Sequence, residues 1–165
     1  MEIIKFGYLK WKQLSYFNFI LSTTLIIIIS LLPIGFIFDY FNITEEEVGG
    51  IDADSYSTIG LILSAVVFAP LMETLFLQTL PIKLLQGLLK NKYELLIILF
   101  SSLLFSLMHF GYSYWYSLLT LPTGIILAKT YILFQERKES SFWTTTAIHS
   151  LRNLVAVVFI LLEAL

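Results

Sequence analysis

The 165-residue chain has no cysteine. Disulfides, thiolate nucleophiles and thiolate metal sites are therefore excluded, while the redox compartment stays open. Charge is also scarce. Asp, Glu, Lys and Arg make up 13% of the residues, against about a quarter in soluble domains. The formal net charge of −2 gives no footing for nucleic acid or any strongly charged partner, and none is expected. Internal repeats, low-complexity tracts and domain linkers are missing too, so one domain is expected.

What is abundant is hydrocarbon: 58% hydrophobic residues and a mean hydropathy of +0.84. The apolar residues come in runs of about 20, the length a helix needs to cross roughly 30 Å of bilayer. The expected fold is all-α, a polytopic transmembrane bundle of about five helices at 17–41, 57–80, 94–110, 116–134 and 142–162, inside a membrane domain 17–165 behind a cytoplasmic tail 1–16. The first run follows Lys5, Lys10 and Lys12, as a signal peptide would. Its length exceeds a signal's apolar core and no small-residue cleavage site follows, so it reads as a retained helix.

Lysine and arginine in short loops mark the cytoplasmic side. They occur in the tail, in the second loop (Lys83, Lys90, Lys92) and in the fourth (Arg137, Lys138), with Lys129 just inside the preceding helix. The first loop instead carries Asp39, Glu45, Glu46, Glu47, Asp52 and Asp54 around Gly49-Gly50, and the third is the uncharged Gly111-Tyr112-Ser113-Tyr114-Trp115, an interfacial aromatic belt by composition. The N-terminus is thus expected in the cytoplasm, in a multi-pass protein of a bacterial plasma membrane. Asn42-Ile43-Thr44 matches a glycosylation acceptor, a tripeptide too frequent to carry weight. The segment 81–93 is amphipathic, suited to lie in the cytoplasmic interface or to extend the second helix.

An ionisable residue within a span costs roughly 2.5–3.5 kcal/mol on insertion scales and is a functional candidate by default. Glu73 in the second span, His109 in the third, and His149 with Arg152 in the fifth qualify; Lys129 and Glu163 sit near helix ends, within reach of the interface. One buried histidine alone is usually a satisfied polar group. Two histidines and a carboxylate on three helices point instead to a shared site. His149 and Asn153 are four residues apart and share a helix face. A carboxylate and a histidine aimed at one water are the minimum apparatus for hydrolysis, and an asparagine amide can donate to the oxyanion that results. Serine and threonine lie nearby, but none has the adjacent base a nucleophile needs.

The order Ala69-Pro70-x-x-Glu73, then Phe105-x-x-x-His109, then His149-x-x-x-Asn153, on successive helices with one helix lacking such a motif before the last, resembles the CPBP family of intramembrane proteases. That family includes type II CAAX prenyl endopeptidases and bacteriocin-processing or self-immunity proteins. The resemblance covers about 57–160. It implies an intramembrane endopeptidase in which Glu73 and His109 hold and activate water while His149 and Asn153 stabilise the oxyanion. The implied partners are a peptide or protein substrate and the bilayer; the oligomeric state is not indicated. No cofactor is expected. The alternative is zinc held by Glu73, His109 and His149, but no second carboxylate is evident to orient the histidines. Family members usually have Glu-Glu-x-x-x-Arg, where this chain has Thr74 and Gln78 for the second Glu and the Arg. Exchanging both partners of an ion pair for a neutral, hydrogen-bonding pair is nearly harmless to folding, whereas losing one strands a charge. Arg152 either pairs with Glu73 or snorkels to the interface. The other readings are a catalytically weak relative acting in bacteriocin immunity or peptide binding, and a small transporter, against which the lack of inverted repeats argues.

Counted at 1.5 Å per residue, Glu73 lies roughly 15 Å from Lys83, but His109 roughly 25 Å from Lys92. For the two to meet, helix three must tilt or the segment 81–93 must continue helix two. The cavity they form is expected to open toward the cytoplasmic half.

Overall fold

The computed structural model describes residues 2–89 and 92–163. Lys90 of the basic loop and the last two residues of the expected membrane domain lie outside them. Five helices among the described residues are long and apolar enough to span a bilayer. An N-terminal helix α1 (Glu2–Lys12) precedes the first span α2 (Tyr16–Tyr40), and a single turn α3 (Glu45–Val48) lies in the first loop. The second span, α4, runs continuously from Thr58 to Leu89. Then come α5 (Glu94–Met108) with a 3₁₀ turn His109–Gly111, α6 (Tyr114–Phe134) and α7 (Ser141–Glu163).

The bundle is apolar outside and rich in hydroxyls inside. Large side chains such as Phe36, Phe68, Leu84, Leu107 and Phe159 are exposed, whereas Ser101, Ser102, Ser106, Ser117, Thr120, Thr123 and Thr144–Thr146 are buried. Hydrocarbon solvates apolar side chains as well as a protein core does, so helices associate through small residues and hydrogen bonds. The α5–α6 contact is built this way. Ser106 Oγ donates to Ser117 O (2.5 Å), Ser117 Oγ donates to Ser106 O (2.8 Å), and Gly124 lies so close to α5 that a Cβ there would come within 3.1 Å of Ser102 O. The central helix α6 packs on α5, α7 and α2. Near its helix end, Lys129 reaches Glu94 at the start of α5, and its ammonium lies over the Tyr8 ring.

The unbroken α4 settles the depth problem. Its inner end is Leu89 rather than Lys83, which places Glu73 about 24 Å from that end at 1.5 Å per residue. His109 is about as far from the start of α5, so the two meet at one level without a special tilt.

Two π-helical stretches, Leu63–Phe68 and Thr74–Thr79, flank Glu73 in α4. Each ends two residues before a proline, Pro70 or Pro81. Proline has no N–H and its ring crowds the carbonyl four residues back, and widening the turn relieves that crowding. The Ala69 N–H bonds to Ser64 O, and Pro70 has no N–H to offer, so Ala65 O is left without a backbone donor. Leu77 O stands four residues before Pro81, where an α-helical donor is removed by the proline. Side chains from other helices take both carbonyls: Asn153 Nδ2 donates to Ala65 O at 2.8 Å and Ser101 Oγ donates to Leu77 O at 2.6 Å. The segment carrying Glu73 is clamped on both sides.

The two ends of the molecule differ in charge. At one end, Lys12 approaches Glu136 (3.6 Å), Arg137 donates to Leu14 O and Gln86 pairs with Gln135, so the N-terminal segment, the last turns of α4 and the fourth loop meet. At the other end the acidic first loop meets the turn between α5 and α6, with Ser113 Oγ donating to Val48 O at 2.5 Å.

Candidate active site

Glu73, His109 and His149 come together in the bundle. Glu73 Oε2 lies 3.7 Å from His109 Nε2 and 3.6 Å from His149 Nε2. His109 sits where α5 passes into the 3₁₀ turn, and its Nδ1 is 2.7 Å from Phe105 O. A carbonyl only accepts, so Nδ1 carries the hydrogen and Nε2 is the atom turned to Glu73. The His149 side chain is 4% exposed, packed edge-on against the Phe105 ring at 5.4 Å. Phe105 thus orients both histidines, one through its carbonyl and one through its ring.

Neither Glu73 Oε2 nor His149 Nδ1 has a protein hydrogen-bond partner, although both atoms are buried. A buried polar atom without a protein partner calls for a water, an ion or a part in chemistry. Asn153 lies on the wall of the same cavity, one turn beyond His149. One of its amide hydrogens goes to Ala65 O, and its Oδ1 accepts from Arg152 at 3.1 Å; the second amide hydrogen remains free to donate.

Three sequence expectations are corrected. Arg152 neither touches Glu73 nor leaves for the interface: it lines the cavity and is held by Asn153. Thr74 and Gln78 do not bond each other. The Gln78 amide instead lies 2.8 Å from Ser101 Oγ; with the single Ser101 hydrogen given to Leu77 O, Oγ is left to accept from the Gln78 NH₂ group, and Thr74 Oγ1 is without a partner. Finally, the cavity, about 420 Å³, opens away from the basic loops: its wall includes Gly49, Gly50 and Ile51 of the acidic loop with Tyr112 and Tyr116. The reason is helix direction. His109 is at the far end of α5 from Lys92, and α4 and α5 pack mainly along Thr74–Leu89, the half nearer the basic loops.

Sequence reasoning missed the tyrosines, taking this stretch for an interfacial belt. The Tyr116 ring stands 5.6 Å and the Tyr112 ring 6.4 Å from His109. Their spacing of three and seven residues after His109 was the available signal. Burial pushes the Tyr112 phenol above its usual range, with Tyr116, Glu73 and Tyr56 adding to the shift, so it is a neutral donor at physiological pH.

A structural zinc needs four protein ligands, and a catalytic zinc three with an open position. The described residues hold no group of three or more His, Asp or Glu arranged to take a metal ion. The Nδ1 of His149 has no acceptor, whereas ligating histidines donate that hydrogen to a fixed partner.

A multi-pass membrane protein with a carboxylate, two histidines and an asparagine around one cavity is the class this fold and site define. Over residues 55–155 the chain matches the family described as type II CAAX prenyl endopeptidase Rce1-like, and it belongs to that family of membrane proteases. No curated protein and no solved structure matches the chain.

Proposed function

We propose that this protein is an intramembrane endopeptidase that hydrolyses a peptide bond with water activated by Glu73, without a metal. The observation that carries the reading is the convergence of His109 Nε2 and His149 Nε2 on an unpartnered Glu73 Oε2. Two acceptors 3.7 Å apart are too distant to bond each other, and suit a water about 2.8 Å from each that donates one hydrogen to Glu73 and one to His109.

In this mechanism Glu73 takes a proton from the water as the oxygen attacks the scissile carbonyl. The oxyanion accepts from His149 Nε2–H and from the second amide hydrogen of Asn153, each such donor being worth about 2.7–4 kcal/mol of barrier. Placing the hydrogen of His149 on Nε2 leaves Nδ1 as a bare acceptor, which a buried site tolerates better than an orphan N–H. Glu73 then returns the proton to the leaving amine as the C–N bond breaks. Arg152, the only lysine or arginine lining the cavity among the described residues, balances the charge of Glu73 in place of the usual motif arginine.

The reading is tested with purified protein and a library of quenched-fluorescent peptides. Wild type is expected to cleave a subset, and Glu73→Ala to lose that cleavage by at least about 10²-fold, within the range for general-base loss, while eluting unchanged in size exclusion. Equal cleavage by the variant refutes it. A second reading, a peptide-binding or immunity relative without activity, is favoured by the neutral Thr74 and Gln78, both buried; it requires that Glu73→Ala leave the cellular phenotype unaltered.

A further inference from the structure

The position of the cavity bears on what can enter it. Its wall runs from Glu73 and His149 outward along α7 past Ala156 to Ile160, and ends against Gly50 and Tyr116. Neither the end of α4 bearing Lys83 nor the loops bearing Lys92, Arg137 and Lys138 contribute to it. The acidic loop lies directly over it. Gly49 and Gly50, at φ +69° and +138°, let the chain fold flat onto Tyr112 and Tyr116; a Cβ on Gly50 would come within 3.3 Å of the Tyr116 ring. Ser113 Oγ fastens this loop through Val48 O, and Ile51 and Ala53 pack on the Leu61–Ala65–Val157 cluster at the outer ends of α4 and α7. The helices α4 and α5 pack on each other mainly from Thr74 to Leu89, toward the basic end.

Charge orients these features. The cavity end carries Asp39, Glu45–Glu47, Asp52 and Asp54 and no lysine or arginine in its loops, while the opposite end gathers the basic residues. Basic short loops stay in the cytoplasm. We propose that the cavity is entered from the extracytoplasmic face, beneath the acidic loop, and that its substrate is a peptide segment exposed on that face. The word substrate rests on the hydrolytic reading above; the side of entry does not. A prenylated tail presented in the cytoplasm would meet the closed, basic end of the bundle. The step that supplies the substrate is therefore export, or membrane insertion, of a polypeptide, and cleavage follows translocation.

The absence of cysteine makes the test direct. Single cysteines are introduced into the full chain at Ala69 and Ala156 in the cavity wall, at Glu46 in the acidic loop and at Lys138 in the basic end. Each variant is exposed in intact cells to a charged, membrane-impermeant maleimide, and adducts are read by mass. Glu46→Cys and at least one of the two cavity cysteines are expected to gain one adduct before permeabilisation, and Lys138→Cys only after it. Labelling of neither cavity cysteine in intact cells, or labelling of Glu46→Cys only after permeabilisation, overturns the proposal. The readout needs no turnover, so an inactive protein would refute the hydrolytic reading and leave this result standing.

Discussion

Glu73, His109, His149 and Asn153 owe their arrangement to bonds that sequence shows only in part. That the four belong together was legible, because an ionisable group in hydrocarbon needs a reason and three helices supplied such groups in order. The second task of Asn153 was not legible: it caps Ala65 O, a carbonyl stripped of its donor by the π turn and by Pro70. Asn153→Ala is therefore expected to lower stability as well as rate. Interhelical hydrogen bonds in membranes average about 0.6 kcal/mol, whereas a stranded buried carbonyl costs about 1–3 kcal/mol. Ala65 O borders a cavity that water can enter, so the lower end of that range applies, about 1 kcal/mol, measurable as a reduced melting temperature in detergent. Glu73→Ala, which removes a group with no protein hydrogen bond to Oε2, is expected to leave the melting temperature unchanged or raise it.

Among the elements, α5 and α6 fix where His109 stands. Ser106 and Ser117 lock the pair three residues before His109, and Gly124 lets Ser102 and Phe105 approach the α6 backbone. A side chain at 124 meets backbone atoms of α5 and cannot be accommodated by a rotamer change. Gly124→Val is expected to cost about 1–3 kcal/mol, the usual range for overpacking, and to displace Phe105, which orients both histidines. Peptide cleavage should then fall even at temperatures where circular dichroism shows the helices intact; full activity in a folded Gly124→Val protein would refute the positioning role of this contact. Apolar run length located the spans, but not the inner end of α4, because the amphipathic stretch after Pro81 reads equally well as an interfacial helix. The π turns left no mark in the hydrophobic pattern, since one extra residue per turn is lost among uniformly apolar neighbours.

At the scale of the whole molecule, the segregation of charge between its two ends was plain from the loops. The side on which the site opens was not. It depends on the direction of α5 and on a first loop folded back over Tyr112 and Tyr116, a long-range contact that Ser113 and Val48 do not announce. Family membership makes this chain one of a group of membrane proteases, and its proposed chemistry rests on one water held by Glu73 and His109. The most direct test is a single turnover in water enriched in oxygen-18, with enzyme in excess over a peptide it cleaves. Direct attack by activated water predicts one labelled oxygen in the new carboxyl group of the product and none in the Glu73 carboxylate after proteolysis of the enzyme. Label retained in Glu73 would mean that its carboxylate had attacked the peptide itself, and would contradict its role as the base that activates water.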